Sequence, residues 1–166
     1  MGCGPTKENH NKYFKARKSA AFYNEKLYSR EGASELLGVS VSTLADYELG
    51  NTKVVPVDKV LLMSDLYNAP DLKSVYCKNE CPIGKNYSIA TEINPLEGIA
   101  LRLLREFDAN SLEDIKSKLI DIAADGKIDD DEKLEFKGIL DDLDQMAYVI
   151  SEVKLIGEKV LNKVGE

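Results

Sequence analysis

Apolar residues recur along this chain at spacings of three and four, and the pattern breaks at Gly, Pro, Asn or Ser. Residues 12–27 set Tyr13, Phe14, Ala16, Ala20, Ala21, Tyr23 and Leu27 among basic residues, which predicts an amphipathic helix. Ser29 is a natural N-cap for a short second helix reaching Leu37, and Gly38 suits the left-handed residue that stops it. Ser40 caps a third helix over Val41–Leu49, with Leu44 and Tyr47 inward and Gly50 at its end. The polar loop Asn51-Thr52-Lys53 leads to a fourth helix opened by Pro56 and carrying Val57, Val60, Leu61, Ser64 and Leu66. Asn68-Ala69-Pro70 breaks the chain before a fifth short helix over 71–76.

Residues 77–94 mix polar residues with Pro82 and Gly84 and read as a linker or strap. Three further helices follow. The first starts near Asn94 and Pro95, with Asn94 and Glu97 as a capping pair, and carries Leu96, Ile99, Leu103, Leu104 and Phe107. The second starts at Asn110 or Ser111, carries Leu112, Ile115, Leu119 and Ile122, and ends at Gly126. The third starts near Asp129, capped with Glu132, and runs to about residue 163, roughly 50 Å at 1.5 Å per residue. Its 4-3 seam is Ile139, Leu143, Met146, Ile150, Val153, Gly157, Val160 and Val164. Neither preceding helix is that long. Two arrangements satisfy the seam: the two shorter helices lie end to end along the third, or its bare half forms a dimer.

The formal charge of −7 speaks at first against a nucleic-acid partner, but it is unevenly placed. Residues 1–76 hold ten Lys/Arg against nine Asp/Glu, a net of +1, and residues 77–166 hold twelve against twenty, a net of −8. Lys7, Lys12, Lys15, Arg17 and Lys18 face only Glu8 at the leading end. Phosphate binding depends on local basic groups, so the first half remains able to meet DNA. No apolar run approaches the ~18 residues of a membrane span, and no signal peptide is visible, so a cytoplasmic protein is expected. One His, no Gly-rich phosphate loop and no nucleophile–base arrangement argue against an enzyme, and no cofactor is expected.

The stretch from Ser29 to Gly50 carries the strongest motif: short helix, Gly turn, Ser cap, second helix. With Ser29, Glu31, Ala33, Leu37, Gly38, Val39, Ser40, Ser42, Thr43, Leu44, Tyr47, Glu48 and Gly50, it resembles the Cro/repressor-like (XRE) helix-turn-helix regulators. The resemblance covers residues 12–76. It implies an all-α fold: a five-helix Cro/repressor-like domain, followed here by a C-terminal helical hairpin or bundle with a long terminal helix. The DNA-binding residues it implies are Arg30 at the start of the bracing helix, and Ser40, Val41, Ser42, Thr43 and Asp46 on the recognition helix. Asn51, Thr52 and Lys53 fall in the loop that clamps phosphate. The departure is chemical: no Arg, Lys, Asn or Gln lies between Val41 and Leu49 to read base edges with a fork.

Three weaker patterns have simpler explanations. Cys77-x-x-x-Cys81, with Cys3 and His10, could supply four zinc ligands, but Cys3 and His10 sit on a loose arm, so small packing thiols in the strap are the preferred reading. Asp121 to Glu132 scans partly as a calcium loop but has Ala123 at the third ligand position, and a helix stop followed by a helix start explains the same residues. Met1–Thr6 fits an acylation pattern that is short and often accidental.

The expected organisation is a flexible arm (1–11), a helix-turn-helix domain (12–76), a Cys-containing strap (77–94) and an acidic helical oligomerisation or partner-binding region (95–166). The expected function is a sequence-specific DNA-binding transcriptional regulator, a repressor, that binds double-stranded DNA as a homodimer. Leu143, Met146, Ile150, Val153 and Val160 are the expected dimer contacts, and the acidic helices could also receive a protein partner. The alternative is a protein-interaction adaptor whose helix-turn-helix does not read DNA.

Overall fold

The structure, a computed structural model, describes residues 10–124, 126–130 and 132–162. Among them all regular secondary structure is helical. The helices are α1 (Lys12–Ala20), α2 (Arg30–Leu37), α3 (Val41–Leu49), α4 (Val57–Leu66), α5 (Asp71–Asn79), α6 (Leu96–Glu106), α7 (Ala109–Ala123) and α8 (Glu132–Leu161), with 3-10 turns at Glu25–Tyr28 and Gly84–Asn86. No described helix is long and apolar enough to cross a membrane. The chain forms two compact units, one of residues 1–86 with 158–166, the other of residues 87–157.

In the first unit α1 to α5 close on one core. Tyr13, Ala20, Leu27, Ala33, Leu37, Leu44, Tyr47, Val60, Met63, Tyr67 and Leu72 are all buried there. The helix caps work locally. Ser29 Oγ accepts from Gly32 N–H at 3.0 Å, and Ser40 Oγ accepts from Thr43 N–H at 3.0 Å. Gly38 (φ 61°) and Gly50 (φ 72°) take the left-handed geometry at the two C-caps.

Some boundaries differ from the sequence expectation. The first helix stops at Ala20 and gives way to the 3-10 turn, because Leu27 is fully buried there while Phe22 points into solvent. Asn11 is not part of a loose arm: its Oδ1 caps α1, and its amide donates to Tyr47 O at 2.9 Å. The fifth helix continues through Cys77 to Asn79.

The second unit has a thinner core of Ile115, Ile122, Ile139 and Met146, flanked by Phe107, Leu112, Leu119 and Phe136. This cluster joins α7 to the first half of α8. Along the later turns of α8, Val149, Glu152 and Leu155 are buried instead. Glu152 accepts from Arg102 Nε (2.9 Å) and Nη2 (2.6 Å) on α6 and from the Asn94 amide (2.7 Å), and Ser151 Oγ accepts from Ala90 N–H (2.7 Å). So α7 and then α6 with the strap follow one another along α8, as in the end-to-end arrangement.

Two expected caps change partner. Asn94 engages Glu152 rather than capping α6, which starts after Pro95 with no side-chain cap. Asp108 caps α7, which starts at Ala109, one residue before the expected Asn110. Asp129 and Glu132 do form a reciprocal capping box at the start of α8, at 2.9 and 3.0 Å.

Candidate nucleic-acid interface

Two short helices at a tight turn, α2 and α3, hold most of the residues expected to bind. Their inner faces are fixed by Ala33, Leu37, Leu44 and Tyr47 in the core. Gly32 lets α2 sit against the preceding 3-10 turn, since a Cβ there would collide with the carbonyl of Lys26. Nothing in the hydrophobic pattern marked that glycine. Only the close approach of two backbone segments explains it.

The outer face of α3 is uncharged at its start. Val41 is 39% exposed, Ser42 is exposed and Thr43 half-buried. The hydroxyls of Ser40, Ser42 and Thr43 form one group, with Ser40 Oγ 2.9 Å from Ser42 Oγ and 2.8 Å from Thr43 Oγ1. One turn on, the exposed Asp46 accepts from the Asn51 amide at 3.0 Å. Asn51 N–H also donates to Asp46 O at 2.9 Å, which closes the turn after Gly50. Asn51 and Lys53 are exposed and Thr52 is half-buried. The structure therefore brings Ser40 to Asp46 and Asn51 to Lys53 onto neighbouring turns of one surface.

Behind this surface lies a charged group that sequence reading did not find. Glu48 is fully buried. Its carboxylate accepts from Arg17 Nε at 2.5 Å and Nη2 at 2.9 Å, a bidentate fork, and from Arg30 Nε at 2.7 Å. Arg17, 2% exposed, also donates to the carbonyls of Leu27 (2.9 Å) and Tyr28 (3.2 Å). Burying a carboxylate is tolerable only with such saturation. The set ties α1, the start of α2 and the end of α3 together.

It also revises the basic leading end. Arg17 faces inward rather than towards a phosphate, and Lys12 pairs with Glu80 at 3.2 Å. Lys15 and Lys18 stay exposed, and Lys7 lies outside the described residues. Arg30, expected at a phosphate, has its Nε on Glu48 and a side chain only 26% exposed.

The expected dimer contacts divide. Met146 is 7% exposed and belongs to the core of its own unit, which corrects that assignment. Leu143 (41%), Ile150 (41%), Val153 (38%) and Val160 (54%) are in solvent. The physical reason is rotation: at 100° per residue the buried face of α8 swings from Ile139 and Met146 to Val149, Glu152 and Leu155. Leu143, Ile150 and Val153 are left beside it.

Cys77 and Cys81 are half-buried free thiols, and Gly84 packs so closely on the Cys77 carbonyl that a Cβ would collide with it. Among the described residues no three His, Cys, Asp or Glu side chains gather as metal ligands. Cys3, the acylation pattern, and Asp125 and Asp131 of the calcium-like stretch lie outside the described residues. Comparison with protein-family models, with curated proteins and with solved structures returns no match.

Proposed function

We propose that the chain is a sequence-specific DNA-binding transcriptional regulator, a cytoplasmic repressor, in which α2, its turn and α3 act as a helix-turn-helix of the Cro/repressor-like (XRE) type. One observation carries this: α3 is held from behind by Leu44, Tyr47 and Glu48 while Val41 and Ser42 on its first turn are exposed and Thr43 is half-buried beside them. In the major groove Val41 meets a thymine methyl, and the hydroxyls of Ser42 and Thr43 bond to base edges. Asp46 accepts from a cytosine amino group. Lys53, in the loop with Asn51 and Thr52, meets the phosphates, and Arg30 adds positive charge at the start of α2. Two copies associate through Leu143, Ile150, Val153 and Val160 on α8, and a symmetric dimer reads two half-sites about one duplex turn, ~34 Å, apart.

The experiment is binding to random-sequence and genomic upstream DNA at two salt concentrations, with Lys53→Ala and Arg30→Ala beside wild type. Salt-dependent binding weakened by Lys53→Ala supports the proposal. No binding at low salt overturns it. For the dimer, sedimentation of wild type against Ile150→Glu decides, since a wild-type monomer contradicts the strip.

A second reading has its own observation. The exposed turn of α3 offers no fork-shaped side chain, and Asp46 puts a carboxylate on the surface that would face phosphates. A protein-interaction adaptor using the same two helices fits that chemistry, and it predicts no DNA binding at any salt concentration.

A further inference from the structure

Three aromatic rings stand in solvent within a short stretch of the first unit. Phe22 is 90% exposed, Tyr28 72% and Tyr23 61%. A single exposed ring needs no explanation, but rings gathered on one surface mark a contact site.

The rings share one side of α1 with two ammonium groups. At 100° per residue, Phe14, Lys15, Lys18 and Phe22 fall within about 100° of helical rotation. The backbone keeps turning past the end of α1, with Ala21 N–H donating to Arg17 O at 2.9 Å and Phe22 N–H to Ser19 O at 3.4 Å. Lys18 Nζ lies 5.8 Å from the centre of the Phe14 ring and 4.3 Å from that of Tyr28, so the 3-10 turn joins the same surface. Phe22 and Tyr23 meet edge to face, their ring centres 5.8 Å apart.

The exposed ring of Tyr28 stands on a fixed base. Its carbonyl accepts from Lys18 Nζ at 3.0 Å and from Arg17 Nη1 at 3.2 Å. Arg17 is itself locked in the core by Glu48, and Leu27, the residue before Tyr28, is fully buried. A ring whose backbone is ordered in advance loses little freedom when a partner arrives.

Charge decides what that partner is. Over residues 12–28 the exposed charges are Lys15, Lys18, Lys26 and Glu25, a basic excess. An apolar protein groove pressed on the rings would strip water from the Lys18 ammonium and give it no counter-charge. A lipid headgroup would pair with the ammonium but offers no flat face to the rings. A nucleic-acid strand supplies both, a base for each ring and a phosphate beside it. In a duplex the bases stack on one another and are closed to the rings, so the surface fits an unpaired strand.

We propose that this side of α1 binds single-stranded nucleic acid. Bases stack on Phe22 and Tyr28, and phosphates meet Lys15 and Lys18. The surface shares no residue with the outer face of α3, so the proposal stands whether or not α3 reads duplex DNA.

The test is fluorescence anisotropy of the full chain with a labelled thymidine oligonucleotide, whose bases stack weakly on one another. A hairpin duplex and vesicles of phosphatidylserine with phosphatidylcholine are the other arms. The single strand should bind saturably and more weakly as salt rises. Phe22→Ala and Tyr28→Ala should each weaken it about fivefold or more, with melting temperatures near wild type because both rings are exposed. Tyr28→Phe, which keeps the ring, should bind like wild type. Lys15→Gln should weaken binding and flatten its salt dependence. Lys53→Ala should leave single-strand binding unchanged, whatever it does to the duplex. The proposal is overturned by no saturable binding of the single strand at low salt, by binding that both ring variants leave unchanged, by its loss in Lys53→Ala, or by binding of the vesicles alone.

Discussion

Among the described residues each unit buries one carboxylate, and the two are held differently. Glu48 is fully buried and is met by Arg17, itself 2% exposed, and by Arg30. Glu152 is 2% exposed, but its guanidinium partner Arg102 is 34% exposed, with Asn94 as the neutral third member. In the first unit the pair is sealed inside a broad core, so neither charge can reach water if the other is lost. In the second, Arg102 can turn outward. The exposed hydrophobic side chains do not divide in this way, since Phe22, Tyr28 and Ile83 of the first unit are 70–90% exposed. Leu101, Leu104, Ile120 and Leu134 of the second unit are each 66–80% exposed, and its core is one thin seam. The sealed pair fixes the end of α3 to α1 and α2, whereas the core of the second unit is a thin seam between α7 and α8.

The hardest blow to this contrast is Glu48→Ala. It leaves a buried guanidinium unpaired and should cost about 3–5 kcal/mol, read as a large fall in melting temperature. Glu152→Gln should lower the melting temperature much less. Equal losses would show that the enclosure of the first pair has no special weight.

Next in size is a pair of glycine substitutions with opposite signs. Gly32→Ala drives a Cβ into the Lys26 carbonyl and should destabilise by about 1–3 kcal/mol. Gly157→Ala, on α8 with open space around the new Cβ, should stabilise by up to about 1 kcal/mol. Denaturant melts of both variants check the signs.

Ser40→Ala removes the α3 cap and should cost about 1 kcal/mol. Hydrogen exchange should locate the loss in the first turn of α3.

The smallest effect is in pH. Burial raises the Asp71 pKa above its ordinary 3.8, more than the nearby Lys159 and Lys12 lower it. The folded state therefore holds that proton more tightly than the unfolded state. The charged form disfavours folding once the pH passes the folded pKa. Asp71→Asn should thus be more stable than wild type at pH 7, and the advantage should shrink as the pH falls towards 3.8. Thermal melts across that range test the sign.

How much of this was readable beforehand follows the distance between partners along the chain. Ser29, Gly38, Ser40 and Gly50 act within three or four residues of themselves, and the sequence pattern found them all. Leu44 and Tyr47 fixed the phase of α3, and therefore which of its residues face outward. Arg17 and Glu48 are 31 residues apart, and Asn94 and Glu152 are 58 apart. At such separations a charged residue in a helical pattern looks like any solvated one. The same limit misassigned Met146: a heptad seam records which residues share a stripe, not which neighbour covers each part of it.

The Arg17–Glu48–Arg30 group has a consequence for how this sequence can drift. Losing Glu48 strands Arg17, and losing Arg17 leaves the buried Glu48 carboxylate with Arg30 alone, so each single step passes through a destabilised protein. Replacing all of them by well-packed apolar residues can leave a fold as stable as before. The alternative lies only two or three substitutions away, yet nearly every path to it crosses a deep loss. Lineages of this chain should therefore hold the group whole or lack it entirely, with few sequences in between.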